Sequence, residues 1–340
     1  MNMNRRKLVA GSIAALPLMA AGRSAFAQQP TNLKISHQFP SAANEDGDFR
    51  DRLSKRFAAS AEKATNGSLK FAIFPGSSLM KVNAQTSALR KGALDLAVIP
   101  LNYLGGEIPE LNIALMPGLV TSYEQGSKWK DAEIGKALKQ LLADRGLVIL
   151  TWVWQGSALA SRAGPLVGPE DVKSLKIRGG SREMDLALQS AGASVISGPS
   201  SEVYIILQTG AADAAISTST SLLSFRSVEV AKDLTIGQGT ALWFVLEPLL
   251  MSKIIFDRLT KDQQAAIYAA GAEAEKFGNE AAKVDDKRLV EVYSKSGKVS
   301  PLPDAALKKW LAIARETAWK DFASKSDNCA RLLALAEKVK

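Results

Sequence analysis

The chain has one cysteine, Cys329, and one histidine, His37, in 340 residues. A lone cysteine cannot form an internal disulfide, and Cys329 lies far from any position where a lipoprotein would be acylated. A Ser–His–Asp triad would have to use His37, and no G-x-S-x-G elbow is present; Gly156-Ser157 does not complete one. No His/Cys group has metal-ligand spacing, and no glycine-rich nucleotide or phosphate loop opens a helix. No cofactor and no metal are therefore expected. Beyond the N-terminal segment no apolar run is long enough to span a bilayer. Internal repeats, low-complexity tracts and flexible linkers are absent too. What remains is 46% hydrophobic residues, enough to build cores for roughly two domains held by packing alone.

The N-terminus reads as an export signal. Arg5-Arg6-Lys7 form a charged region, Leu8 to Ala21 a short apolar one, and Ala25-Phe26-Ala27 an A-x-A cleavage site. Cleavage near Ala27 would leave a chain starting at Gln28, free in the periplasm; the arginine pair fits either general or twin-arginine export. Residues 1–27 carry four bases and no acid, so the net charge falls from +9 to +5. That mild, dispersed basicity favours small anions and is no nucleic-acid signature.

From residue 33 the pattern is strand, helix, strand, helix, strand. Leu33–Phe39 is stopped by Pro40. A helix with Phe49, Leu53 and Phe57 on one stripe ends at Asn66-Gly67. Leu69–Phe74, a helix over Val82–Lys91, and the apolar run Leu94–Pro100 follow. Continuous apolar strands belong to a sheet covered on both faces, so the class is doubly wound α/β. Glu124–Arg145 reads as one helix and Leu147–Trp154 as a strand that makes the first crossing to a second α/β unit. Leu242–Lys253 reads as the strand that returns. Thr260–Ser294 has two glycines and no proline, a helix about 50 Å long. The final segment Asp304–Lys340 reads as a helix or a pair of helices.

Chemistry concentrates in the middle of the chain. Lys176–Arg178 is a short strand ending at Gly179-Gly180, with Ser181 placed to cap a helix that stops at Gly192. Ser194–Ser197 is the next strand, and a helix capped by Ser200 or Ser201 runs to Gly210. Arg178 thus stands at the carboxyl end of a strand, where open α/β sheets bind ligands. Its planar fork suits a carboxylate.

This stretch resembles the solute-binding proteins of tripartite ATP-independent periplasmic (TRAP) transporters, the DctP family. The matching residues are Pro169-Glu170-Asp171, Leu175-Lys176-Ile177-Arg178, Glu202-Val203-Tyr204, Leu207-Gln208-Thr209-Gly210 and Asp213. His37, Thr65-Asn66-Gly67, Pro75-Gly76, Arg90-Lys91-Gly92, Asp95, Pro109-Glu110 and Pro117 extend the likeness over nearly the whole mature chain. The resemblance implies a two-lobed periplasmic-binding-protein-like α/β fold around a ligand cleft. Lobe I would be residues 28–152 with a returning segment near 240–275. Lobe II would be 153–239, with C-terminal helices at about 276–340 packing across both lobes and a long helix spanning them.

It also implies a monomer that captures a small organic acid and delivers it to membrane permease subunits, without catalysis. Arg178 would clamp the ligand carboxylate. His37, Tyr103, Trp154, Tyr204, Trp243, Ser217 and Thr218 are the further candidates for the cleft. Two departures stand out: Ala158 replaces an arginine common in the family, and Asp213–Ser217 lacks the usual asparagine-like contact. Both argue against a heavily polar, doubly charged ligand and put simple dicarboxylates in doubt. Two or three of the aromatic candidates together at the cleft would suit a carboxylate with an apolar or aromatic body. An exported two-lobed enzyme acting on an organic acid, or a protein presenting its ligand to a sensor, would use the same cleft.

Overall fold

The computed structural model describes residues 30–237 and 239–340; the export-signal reading of residues 1–27 lies outside them. The first sheet is seeded by β1 (Thr31–His37), which pairs in parallel with β2 (Leu69–Phe74) and β3 (Leu96–Val98). Between them run α1 (Phe49–Ala64) and α2 (Val82–Arg90). Alpha-helix α1 ends where Asn66 and Gly67 take left-handed backbone, φ 50° and 75°. Two 3₁₀ turns, Leu101–Leu104 and Pro109–Leu115, follow β3.

The predicted helix 124–145 is two helices, α3 (Tyr123–Lys128) and α4 (Glu133–Asp144). The break comes where Trp129 drops fully into the core. A Cβ on Gly135 would lie 2.1 Å from the Trp129 carbonyl oxygen, so the first turn of α4 closes over that tryptophan only because residue 135 has no side chain.

The predicted strand 147–154 also divides. Strand β4 (Leu147–Ile149) stays in the first sheet, whereas β5 (Trp154–Ser161) belongs to the second, and Leu150–Val153 carries the chain across. The second sheet adds β6 (Lys176–Arg178), α5 (Arg182–Ser190), β7 (Ser194–Ile196), α6 (Val203–Gln208), β8 (Ala214–Thr218), α7 (Ser219–Ser224) and β9 (Asp233–Ile236). The returning run 242–253 splits at Glu247-Pro248. Strand β10 (Phe244–Leu246) pairs with β5, and β11 (Leu249–Ser252) inserts antiparallel between β3 and β4. The strand orders are β2-β1-β3-β11-β4 and, after β12 (Lys298–Pro301) joins β9, β12-β9-β5-β8-β6-β7. Strand β12 is not predicted from the sequence, where Pro301, its last residue, and Pro303 just beyond it read as a plain helix stop.

After α8 (Lys253–Phe256) comes α9 (Lys261–Ser296), 36 residues or about 54 Å. A capping box starts it: Gln263 donates its backbone N–H to the Thr260 hydroxyl, and Thr260 donates its own to the Gln263 side chain. The first half of α9 packs Ile267, Ala270 and Ala274 with Leu33, Phe57 and Leu249 of the first lobe. Its far end packs Leu289 and Tyr293 with Ala160, Val203 and Leu234 of the second. The two glycines of α9 bring its backbone against the crossing segment. A Cβ on Gly271 would lie 2.6 Å from the Leu150 carbonyl oxygen, and one on Gly278 2.8 Å from Val153.

The chain ends with α10 (Asp304–Ala314), a π turn over Arg315–Trp319, α11 (Lys320–Ser324) and α12 (Asp327–Ala336). Trp310 enters the second-lobe core, while Cys329, Leu332 and Ala336 enter the first.

Candidate functional site

Strand β6 ends at Arg178 because the next residues cannot continue it. Gly180 adopts φ +112°, and a Cβ there would meet Nη1 of Arg178 at 2.9 Å. The Ser181 hydroxyl then accepts the Met184 N–H at 3.1 Å and starts α5. The turn delivers the Arg178 guanidinium into the space between the lobes, 3% exposed. Nε and Nη2 donate to the Gly198 carbonyl at 3.0 and 2.6 Å, and Nη1 donates to that of Ile216 at 2.7 Å. A long 3.5 Å contact reaches the Tyr103 hydroxyl. Every one of these acceptors is neutral. Of the five N–H donors of an arginine, one on Nη1 has no acceptor among the described residues, and neither, but for the Tyr103 contact, has one on Nη2. Among the described residues no carboxylate forms an ion pair with Arg178. The nearby Asp185 turns to Ser197, 3.3 Å away, and burial pushes its carboxyl up to about 6.

Arg178 lines a cavity of about 40 Å³ together with Tyr103, Trp243, Ser217 and Thr218. Five of the eight sequence-predicted candidates thus come together. Hydrogen bonds join the lobes around them. Asn102 Nδ2 donates to the Gly180 carbonyl at 3.0 Å, the Ser200 N–H to the Tyr103 hydroxyl at 2.9 Å, and the Ser201 hydroxyl to Gln38 Oε1 at 3.0 Å.

The other three candidates lie elsewhere. His37 is fully buried beside Asp51, with Nε2 3.1 Å from Oδ1, and its ring stacks on Phe39. It joins the end of β1 to α1 and is not among the residues that line the cavity. Trp154 turns into the first-lobe core, edge-on to Trp129 and against Gly126 of α3, where the missing side chain leaves room for the indole. Tyr204 rides on the outer side of α6 and reaches Glu229 at 3.3 Å. Ala158 is buried in the second-lobe core, and Arg162 is exposed.

Two charged residues that the sequence reading passed over line the same cavity: Arg50 and Glu247. Arg50 sits in the first turn of α1. Its backbone N–H and Nε both donate to Asp48 Oδ1 at 2.9 Å, Nη2 to Oδ2 at 2.6 Å, and Nη1 to Ser221 Oγ at 2.9 Å and Glu247 Oε2 at 3.3 Å. The guanidinium lies 3.5 Å above the Phe39 ring. Burial alone would lower the Arg50 pKa; the Asp48 and Glu247 carboxylates outweigh it and hold it raised. Burial pushes the Glu247 carboxyl up, against the pull of Arg50. A sequence signal existed: Arg50, Ser54, Ala58 and Ala61 share one buried face beside the Phe49–Leu53–Phe57 stripe, a row of small residues with one arginine in it.

Two lobes, two crossing segments, a bridging helix and a buried arginine in the intervening cavity fit a protein that binds a small ligand between its lobes. Comparison with known proteins agrees. Residues 42–326 match the model of the DctP family, bacterial extracellular solute-binding protein, family 7, and the chain belongs to that family. A solute-binding protein of Albidiferax ferrireducens is 56% identical over 340 residues, covering 99% of this chain and all of its relative. The crystal structure of a TRAP periplasmic solute-binding protein from Rhodoferax ferrireducens, with bound malonate, superposes with a TM-score of 0.89 at 57% identity over 90% of this chain and 98% of the other. The C4-dicarboxylate-binding periplasmic protein DctP of Rhodobacter capsulatus is 26% identical over 87% of each chain. The protein is a TRAP solute-binding protein and not an enzyme.

Proposed function

We propose that the protein captures a small organic acid in the periplasm, through an Arg178–carboxylate salt bridge in the interlobe cavity, and hands it to a TRAP membrane permease. In this reading the lobes divide near residue 152 and again between β10 and β11. The observation that carries it is the state of Arg178: a buried cation whose partners are all neutral and whose remaining donors face a cavity. A buried charge without a counter-ion is costly, and an anionic ligand supplies one. The malonate in the relative from Rhodoferax ferrireducens supports a small carboxylate. The cavity volume of about 40 Å³ favours a compact acid. With Trp154 and Tyr204 turned away, only Tyr103 and Trp243 remain as aromatic lining, too little to hold a large aromatic body.

A thermal-shift screen over small mono- and dicarboxylic acids tests this. Ligand at one hundred times its dissociation constant adds about 2.7 kcal/mol of stability. Calorimetry on Arg178→Ala follows, where loss of one member of a buried pair costs about 2–5 kcal/mol. If no acid stabilises the wild type, or if the variant binds within about threefold of it, the proposal is wrong.

A further inference from the structure

The cavity is lined by two chemically opposite groups. Arg178 offers unused N–H donors. Glu247 is 2% exposed; its Oε2 is engaged by Arg50 and Gln155 Nε2, and its Oε1 is buried with no hydrogen-bond partner among the described residues. Resting on the carboxylate reading above, we propose that Glu247 sets specificity by requiring the far end of the bound acid to bring a hydrogen atom: a hydroxyl, an amide N–H, or a carboxyl that is protonated when bound.

Arg50 does not supply a second anion site. Asp48 grips it through two oxygens, Glu247 and Ser221 take Nη1, and Phe39 covers its face. The charged groups around Glu247 are Arg50 and Asp48 from the α1 end. Strand β5 contributes the neutral Gln155 and α7 the neutral Ser221. One cation shared by two carboxylates leaves no positive surplus for a third. A dianion with one carboxylate on Arg178 and the other reaching Glu247 would set carboxylate against carboxylate, oxygen facing oxygen, in a buried site where screening is weak. A donor at the same place satisfies Oε1 instead, and an unpaired buried acceptor is what makes such a site selective.

Malonate, its monoamide malonamate and 3-hydroxypropionate are near-equal in size and separate these cases. Calorimetry at pH 8 on the full mature protein should show malonamate or 3-hydroxypropionate binding at least about tenfold more tightly than malonate, the scale of one lost charged hydrogen bond. Glu247→Gln, isosteric and uncharged, should shrink that ratio by about tenfold or more by improving malonate. A ratio within about twofold of the wild-type value in the variant would overturn the inference. The wild type alone supplies an independent check should the variant not fold. Titrations in buffers of different ionisation enthalpy should show malonate binding with uptake of about one proton and malonamate with none. Malonate bound at pH 8 without proton uptake, and as tightly as malonamate, overturns the inference while leaving the Arg178 clamp intact. Absence of binding by all three acids and by every other carboxylate screened overturns both.

Discussion

The hydroxyl of Tyr103, in the turn after β3, accepts the backbone N–H of Ser200 from the opposite lobe at 2.9 Å and lies 3.5 Å from Nη2 of Arg178. One oxygen therefore touches both the latch between the lobes and the group that faces the ligand. Anything that moves the guanidinium toward a ligand alters the environment of the hydroxyl that holds the lobes together. Tyr103→Phe removes the oxygen and keeps the ring. It should weaken acid binding about threefold to tenfold, the worth of one neutral hydrogen bond, and enlarge the ligand-bound particle in small-angle scattering. Unchanged affinity and an unchanged radius would show that the latch contributes nothing.

Arg178→Lys separates charge from shape. Lysine keeps the cation but cannot hold the Gly198 and Ile216 carbonyls while presenting donors to a carboxylate. It should bind the acid more weakly than wild type and more tightly than Arg178→Ala. Arg162→Ala, an exposed position, should bind as wild type does. Calorimetry on the three variants, with circular dichroism to confirm folding, gives the order. A lysine variant equal to wild type would show that point charge alone suffices.

Gly271→Ala pits local propensity against packing. In a free helix the change would stabilise by about 1 kcal/mol. Here the new Cβ would lie 2.6 Å from the Leu150 carbonyl oxygen, a backbone atom that cannot rotate away. The net result should be a loss of about 1–3 kcal/mol by chemical denaturation. Gly106→Ala, with nothing within 4 Å of its added Cβ, should stay within about 0.5 kcal/mol of wild type.

The His37–Asp51 pair governs acid stability rather than binding. Burial would raise the Asp51 carboxyl, but His37, Lys55 and the Ala42 N–H outweigh it and hold it at about 2. A depressed carboxylate pKa stabilises the fold fully above the unfolded value near 3.8 and loses that contribution as the pH falls toward 2. Asp51→Asn should therefore cost roughly 2 kcal/mol near neutrality, and the difference from wild type should vanish toward pH 2. A difference independent of pH would assign the loss to packing instead.

How much of this could be read from the sequence depended on whether residues made their own boundaries. Arg178 was legible because Gly179-Gly180 and Ser181 end a strand and start a helix within a few positions. The crossing at Leu150–Val153 was blurred because α9 covers it. Leu150, Trp152 and Val153 are as buried as the strands on either side, so hydrophobicity shows no break. At the return, Glu247-Pro248 did mark the break, a charge and a proline inside an apolar run. That same charge marked the site and was passed over. Arg50 was missed because an arginine in a helix's first turn ordinarily points to water; its burial depends on Asp48, Glu247, Ser221 and Phe39, which the fold alone assembles. Trp154 and Tyr204 were misplaced because strand and helix periodicity tells which residues share a face, not which face meets the cavity.

The position of β11 also bears on how the chain reaches its fold. It lies between β3 and β4, which have no pairing with each other, and it follows β5 to β10 of the second sheet in sequence. A chain made from its N-terminus cannot finish the first sheet until Ser252 has been added. Until then β3 and β4 each keep an open edge. Pairings so distant in sequence are slow to form, so the sheet nearest the N-terminus is among the last to close.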